Sequence, residues 1–212
     1  MEKRLKPILL LAVISIIGGV LIFNPLGNER IEGVEVLALL GEGFDYQEFR
    51  IMKARLEARG ARVTAASFET TRLQGDGGSY TPEVTFSEVD ASAYDVFFIP
   101  GGEGPADLIH NPYNDIEGHQ TAIDILVQAN EAGTLIAAIC HGPRVLAAAD
   151  VVNGTRVTCY DHQYTINDLQ AAGAVVDTSK SVIRDGNIIT CRSPVATPRL
   201  AREIVKALSG EQ

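Results

Sequence analysis

The sequence is poor in the features that mark several protein classes. Its 212 residues include three cysteines, too few for a disulfide-rich scaffold. Basic side chains are in the minority, with 18 Lys and Arg against 27 Asp and Glu and a net charge of −9, and no stripe of Lys and Arg carries interleaved aromatic residues. Because an acidic surface repels phosphate backbones, the sequence argues against nucleic-acid binding as a main activity. It also has no internal repeat and no low-complexity segment.

What the sequence does contain is enough apolar material for a packed core, since 46% of its residues are hydrophobic. Its length suits one compact domain. One apolar run stands apart from the rest: residues 8–23 hold 16 residues without a charge, follow three basic side chains and are ended by Asn24-Pro25. A run of this kind indicates a segment directed to a membrane.

We therefore divide the chain into an N-terminal membrane anchor or signal segment over residues 1–30 and an α/β domain over residues 31–212. The apolar run is intermediate in length between a signal peptide and a full span, and no Ala-x-Ala site follows it, so we expect an uncleaved transmembrane helix in preference to a cleaved signal peptide. The preceding basic residues predict an extracytoplasmic domain. A wrongly assigned start codon is the alternative, and the domain would then be cytoplasmic.

The rest of the chain alternates between apolar runs and amphipathic stretches. Four runs that are apolar throughout predict buried parallel strands, at residues 34–40, 62–68, 94–99 and 134–139. Helices are predicted at residues 46–59, 121–132, 144–149 and 198–208. Asp185-Gly186 between two short apolar runs predicts a β-hairpin. The fold class is α/β: a doubly wound, mostly parallel sheet with helices on both faces, a flavodoxin-like sandwich, preceded by the transmembrane helix.

Ligands of such a sheet bind outside the carboxyl ends of its strands, and a nucleophile motif stands at one of these ends. In Ala138-Ile139-Cys140-His141-Gly142 small residues lie two positions on either side of a cysteine, at a junction from strand to helix. This is the spacing of a nucleophile elbow, in which the side chain projects from the tip of the sheet. The start of the next helix favours a thiolate. A lone cysteine after a strand is more often a buried small hydrophobe, and the flanking residues make the difference here.

Several segments, taken in order, resemble the ThiJ/PfpI superfamily, which includes PfpI-like proteases and deglycases and has a class I glutamine amidotransferase-like fold. The most specific segment is Cys140-His141-Gly142-Pro143. The others are the acidic segment 43–48, the Pro100-Gly101-Gly102 turn, and the stretches 157–160 and 185–192. The resemblance covers about residues 35–208.

The resemblance implies a role for particular residues of this chain. Cys140 corresponds to the nucleophile, and Glu48 to a carboxyl group that hydrogen-bonds the sulfur; without the resemblance, an exposed helix residue would be the better expectation for Glu48. The backbone N–H groups of Gly102 and His141 correspond to an oxyanion hole. Gly101 is a further predicted pocket residue, and a simple Gly-Gly turn is the alternative.

Tyr160, Arg192 and Asp107 complete the predicted pocket. His141 stands where PfpI-like members keep a catalytic histidine, whereas deglycase-like members use a histidine about 20 positions later, where this chain has Tyr160. The acid that orients the histidine in PfpI-like peptidases corresponds to Ala106. Asp107 is adjacent, but a shift of one residue at the start of a helix turns a side chain by about 100°.

Cys159 and Cys191 each end an apolar run and each precede a residue that the resemblance brings toward the pocket. In an extracytoplasmic domain this predicts a disulfide between them that leaves Cys140 free. Two buried free thiols are the alternative.

These observations favour a cysteine-nucleophile enzyme that acts on small reactive carbonyls or their adducts, as a glyoxalase or deglycase does, or that hydrolyses a related small substrate. One alternative is a PfpI-like cysteine peptidase, in which Asp107 or an acid of a partner chain orients His141. The other is a redox sensor or holdase chaperone in which Cys140 is oxidised. We expect no cofactor and no metal. The expected partners are a small molecule or peptide, the membrane through the N-terminal segment, and a second copy of the chain in a homodimer or larger homo-oligomer, as the resemblance implies.

Overall fold

The computed structural model describes residues 29–110 and 116–210 of the chain. Residues 8–23, on which the predicted transmembrane helix rests, lie outside these ranges. In the described ranges no helix combines the length and the apolar character that crossing a bilayer requires. The predicted transmembrane helix, and the membrane-anchored, extracytoplasmic location inferred from it, are corrected on this finding.

A seven-stranded sheet forms the centre of the domain. The strands of the chain are β1 (Glu35–Leu39), β2 (Arg62–Ser67), β3 (Leu73–Gly75), β4 (Gly78–Tyr80), β5 (Val84–Thr85), β6 (Val96–Ile99), β7 (Leu135–Ile139), β8 (Arg156–Val157), β9 (Val175–Val176), β10 (Val182–Asp185) and β11 (Ile188–Cys191). The order in the sheet is β10-β11-β7-β6-β1-β2-β5. Neighbours run parallel except for the β10–β11 hairpin, which is antiparallel.

The central strands are buried on both faces, which explains their uniformly apolar sequences. All five residues of β7 and all four of β6 are buried. Alternate side chains enter two separate cores: Val36 and Phe98 belong to one, and Leu37 and Phe97 to the other. A sheet covered on both faces needs no polar alternation along its strands.

Helices supply the two covering layers. They are α1 (Tyr46–Glu57), α2 (Gly104–His110), α3 (Ile116–Glu131), α4 (Pro143–Ala148), α5 (Gln163–Ala171) and α6 (Thr197–Ser209), with short 3₁₀ turns at Phe86–Glu88, Ala91–Ala93 and Pro194–Ala196. The first core takes residues from α1 and α6, and the second takes residues from α3, α4 and α5. The predicted α/β, flavodoxin-like arrangement with a mostly parallel sheet is confirmed.

Smaller elements that the sequence patterns did not indicate lie around this frame. The β3–β4 hairpin stands beside the turn after β1, where Asp76 donates its N–H to the carbonyl of Phe44 and Gly43 donates to Gln74. Strands β8 and β9 form a separate parallel pair, and α5 connects them. Together with the turns after β1, β6 and β7, the hairpin and the segment before α5 surround the carboxyl edge of the sheet.

Candidate active site

Cys140 lies directly after β7 in a backbone conformation that a non-glycine residue rarely adopts. Its φ is +60°, in the left-handed region. Such strain persists only where the surroundings determine the conformation. Here the Cys140 N–H donates to the Cys191 carbonyl at 2.8 Å, and the Cys140 carbonyl accepts from the Tyr160 N–H at 2.9 Å. The cysteine is therefore held from both sides by segments that come later in the sequence.

Glycines make room for this turn. A Cβ atom on Gly101 would lie 2.5 Å from the Cβ of Cys140 and 2.9 Å from Oε2 of Glu48. A Cβ atom on Gly142 would lie 2.6 Å from the carbonyl oxygen of Ile99. Glycine is thus required at these two positions because neighbouring atoms lie too close for a side chain, whatever backbone freedom the turns also need.

Glu48 projects from the first turn of α1 into the core beside the thiol. The Asp45 side chain caps this helix by accepting from the Glu48 N–H at 2.9 Å. The Glu48 side chain is 0% exposed, and its Oε2 accepts from the Gly101 N–H at 2.6 Å. Burial, reinforced by the charge of Asp45, raises the pKa of Glu48 to about 8, and hydrogen bonds with Gly101 and Cys140 offset part of the rise. Glu48 is therefore a neutral acid at physiological pH.

The Glu48 atom Oε1 is buried and has no hydrogen-bond partner among the described residues. The carboxyl group nevertheless lies beside the thiol: a Cβ atom on Gly101 would lie 2.9 Å from Oε2 of Glu48 and 3.1 Å from the Cys140 sulfur, and a hydrogen bond with Cys140 lowers the Glu48 pKa. This places Glu48 where the predicted sulfur-tuning residue belongs.

The Cys140 sulfur receives main-chain donors as well. Burial and the Glu48 charge raise the pKa of the Cys140 thiol to about 12, and the backbone N–H groups of Gly102 and His141 counteract them. Because the pKa of Glu48 is raised to about 8, most of its charge is absent at neutral pH. The two predicted oxyanion-hole donors thus converge on the Cys140 sulfur.

His141 is held by aromatic and hydroxyl groups, and the contacts of the described residues include no carboxylate that orients it. Its Nδ1 lies 2.7 Å from Oγ1 of Thr165, and its ring stacks on Tyr164 with centroids 5.0 Å apart and planes at 19°. Tyr160 meets the same ring edge-on at 5.1 Å. Burial lowers the pKa of His141; the charge of Glu103 opposes this and the charge of Arg144 adds to it. The imidazole is consequently neutral at physiological pH and can accept a proton.

Residues of α5, together with Arg144 of α4, form a cluster at His141 that the sequence did not predict. Arg144 places its guanidinium 4.6 Å from the Tyr164 ring centroid and pairs with Asp168 at 2.6 Å. Tyr164 and Asp168 are four residues apart on α5 and so share a face. A recognisable helix at residues 163–171 would have drawn attention to them, but α5 buries only Thr165 and Leu169 and shows no apolar stripe.

A cavity of about 810 Å³ opens over Cys140 and His141. It is lined by Glu42, Gly43, Asp45, Gln74, Gly75, Asp76, Gly102, Glu103, Cys140, His141, Tyr160 and Pro194. Four carboxylates thus lie around the cavity, and its described lining contains no Lys or Arg. Nowhere in residues 29–110 and 116–210 do three His, Cys, Asp or Glu side chains gather to hold a metal ion.

Two predicted pocket residues lie elsewhere. Asp107 accepts from the Glu42 N–H through Oδ2 at 2.8 Å, and so fixes the turn after β1. The Arg192 guanidinium donates to the carbonyl of Thr178 at 3.0 Å. Neither residue lines the cavity. Of the predicted pocket residues, Tyr160 does line it, and it is 43% exposed.

The predicted disulfide between Cys159 and Cys191 is corrected. All three cysteines of the described chain are free and buried. Cys191 belongs to the core beneath α1 and α6, together with Cys140, whereas Cys159 belongs to the core on the other side of the sheet. The sheet therefore lies between the two side chains: Cys191 is the last residue of β11 and packs in one core, and Cys159 packs in the other.

Comparison with known proteins identifies a family and relatives that this chain resembles in sequence. The model of the DJ-1/PfpI family matches residues 34–207. A deglycase of Thermococcus kodakarensis is 33% identical over 178 residues, which cover 82% of this chain and 99% of the relative. The deglycase PfpI of Pyrococcus furiosus is 31% identical over 176 residues, with 82% and 99% covered.

A solved structure agrees at the level of the fold. The crystal structure of Drosophila melanogaster DJ-1beta superimposes with a TM-score of 0.72 and 28% sequence identity, over 84% of this chain and 91% of the fly protein. The residues that the family model matches, 34–207, include the strands and the elbow that build the candidate site.

Proposed function

The chain belongs to the DJ-1/PfpI family, and on that premise we propose that it is a cysteine-dependent enzyme that converts small reactive carbonyl compounds or their adducts. The observation that carries the proposal is the pairing of Cys140, in its strained elbow, with a buried, protonated Glu48. The deglycase names of two relatives point to the same substrate class.

The proposed reaction begins with addition of the thiol across an aldehyde carbonyl. With methylglyoxal, the Cys140 sulfur forms a bond to the aldehyde carbon and the thiol proton passes to the carbonyl oxygen, which gives a hemithioacetal. The N–H groups of Gly102 and His141, which lie at the sulfur, can stabilise negative charge on that oxygen while it develops.

His141 is the group placed to complete the reaction. Its neutral imidazole takes the proton from the former aldehyde carbon and returns it to the neighbouring carbon, so that one carbon is oxidised and the other reduced within the same molecule. The product is a thioester of lactate on Cys140, and water hydrolyses it to lactate and the free thiol. No external oxidant, reductant or glutathione is needed.

The same contacts make a peptidase less well supported. Amide hydrolysis requires a histidine that protonates a poor leaving group, and an acid that stabilises the resulting imidazolium. The position of that acid in PfpI-like peptidases corresponds to Ala106, and Asp107 is engaged by the Glu42 N–H. Around His141 the partners are hydroxyl and aromatic groups.

Lactate formation from methylglyoxal by the full-length protein, without glutathione, tests the proposal. We expect turnover in the wild type, none in Cys140→Ser and normal turnover in Cys159→Ser, which removes a thiol on the far side of the sheet. Equal turnover in Cys140→Ser, or no turnover in a folded wild type whose Cys140 is still alkylated, would overturn it.

A further inference from the structure

We propose that Thr165 is the positioning residue for His141: its hydroxyl bonds the ring at Nδ1 and holds the imidazole in one orientation and one tautomer. The inference rests on the proposed function, because it assigns the group that orients His141 while the imidazole moves protons there. It also states what replaces an orienting carboxylate in this chain, a neutral hydroxyl from α5.

The first support is the contact itself. Oγ1 of Thr165 lies 2.7 Å from Nδ1 of His141, across 24 residues of sequence. The Thr165 side chain is 0% exposed, so water does not compete for the hydroxyl. A buried hydroxyl at hydrogen-bond distance from one ring nitrogen sets which nitrogen carries the proton.

The second support is that the other neighbouring hydroxyl cannot perform this task. The Tyr164 hydroxyl lies 3.2 Å from Nδ1 and 3.0 Å from Nε2 of His141, and the two rings are stacked at 19°. An oxygen that is nearly equidistant from both nitrogens and belongs to a stacked ring lies against the imidazole face. It does not lie along either in-plane N–H or lone-pair direction, so Thr165 is the in-plane partner.

The third support is that α5 is anchored where these contacts are made. Arg144 covers the Tyr164 ring at 4.6 Å and is paired with Asp168 at 2.6 Å. Since Tyr164, Thr165 and Asp168 all belong to one short helix, this clamp fixes the helix start against His141. The α4–α5 packing thus maintains the position of the Thr165 hydroxyl.

A neutral partner has a chemical consequence that a carboxylate would not have. It orients the ring without stabilising the imidazolium, so burial and the charges of Arg144 and His162 keep the pKa of His141 below its usual value despite the opposing charge of Glu103. The base is then unprotonated at neutral pH. Protonation of His141 should therefore reduce activity only in acid.

The experiment compares Thr165→Val with Thr165→Ser in the full-length protein. Valine keeps the shape of the side chain and removes the hydrogen bond, whereas serine keeps the hydroxyl. We expect Thr165→Val to lower kcat for methylglyoxal about 10- to 100-fold with KM little changed, and Thr165→Ser to stay near the wild type. Thr64→Val, at another buried threonine on β2, is the matched control and should leave kcat unchanged.

The readout that separates positioning from stability is ¹⁵N NMR of the His141 ring. We expect one tautomer in the wild type and Thr165→Ser, and a mixture in Thr165→Val. A mixture of tautomers in the wild type, or a Thr165→Val protein with unchanged tautomer and kcat, would overturn the inference. Because NMR needs no turnover, absence of lactate formation would count against the proposed function alone.

Discussion

Around Cys140 the main chain makes the decisive contacts, whereas around His141 side chains make them. The cysteine is fixed by the Cys191 carbonyl and the Tyr160 N–H, and its sulfur faces the N–H groups of Gly102 and His141. The imidazole is fixed by rings and a hydroxyl from a single helix. Main-chain contacts depend on the fold and scarcely on residue identity, so substitutions in the two halves should differ in kind as well as in size.

Glu48 is an exception near Cys140, because it contributes a side chain where the other contacts are made by the main chain. We expect its substitution to have the largest effect on stability. Folding raises its pKa from 4.5 to about 8, so the unfolded chain releases this proton first as the pH rises. The stabilisation due to this group is complete below pH 4.5 and is lost progressively up to about pH 8. The rise corresponds to about 5 kcal/mol.

Glu48→Gln keeps the neutral form at every pH and should remove this dependence. We expect the free energy of unfolding of the variant, relative to the wild type, to increase by up to about 5 kcal/mol between about pH 5 and about pH 9. Urea denaturation at the two pH values measures it. A constant difference between the two proteins would show that Glu48 ionises in the folded chain as it does in water.

Gly101→Ala tests the close approach of backbone to nucleophile. The added Cβ would lie 2.5 Å from the Cβ of Cys140, so we expect a loss of about 3 kcal/mol in the free energy of unfolding, together with loss of activity. Gly133→Ala, at a glycine with φ +69° and open space around its Cβ position, is the control and should cost about 1 kcal/mol. Equal losses would mean that contact at Gly101 is relieved by a small shift.

Arg144→Lys tests the contacts that anchor α5, the helix that holds His141. Lysine keeps the charge but loses the planar group that covers Tyr164 and pairs with Asp168, so we expect stability to fall by about 1 kcal/mol and kcat by a few-fold. Arg62→Lys is a suitable control because that residue forms a long, exposed ion pair of 3.7 Å with Glu35. A kcat equal to that of the wild type would separate α5 anchoring from catalysis.

Substitution of the carboxylates around the cavity should have the smallest effect. These residues line the cavity together with both Cys140 and His141. We expect Asp76→Asn with Glu103→Gln to raise kcat/KM for glyoxylate, an anionic aldehyde, by a few-fold relative to methylglyoxal, because two repulsive charges are removed. The gain should shrink in high salt. Glu203→Gln on α6 is a control, and an equal gain there would attribute the effect to net charge alone.

The two halves also differ in how far the sequence predicts them. The apolar runs at residues 34–40 and 134–139 were readable as strands because parallel strands are buried on both faces, and the structure has β1 and β7 within one residue of those bounds. The elbow was readable because its requirements are local: small residues next to a cysteine. Glu48 became a candidate through the resemblance alone.

Thr165 and Tyr164 were not predicted because nothing local distinguishes them. They meet His141 only after α5 has packed on α4, and α5 itself has two buried residues and no apolar stripe. Strands of two residues, such as β8 and β9, offer no periodicity at all. The Cys159–Cys191 prediction failed for a related reason: Cys159 follows a strand of only two residues, so no alternation indicates which face of the sheet its side chain reaches.

The two main-chain hydrogen bonds at Cys140 join it to segments that are synthesised later. Synthesis delivers Cys140 well before Tyr160, and Tyr160 before Cys191, yet both later segments must be in place to hold φ at +60°. While the chain is still on the ribosome, residue 140 is therefore an ordinary cysteine without its strained turn. The turn at Cys140 is completed last, when its neighbours Gly101 and Glu48 are already available to pack against it.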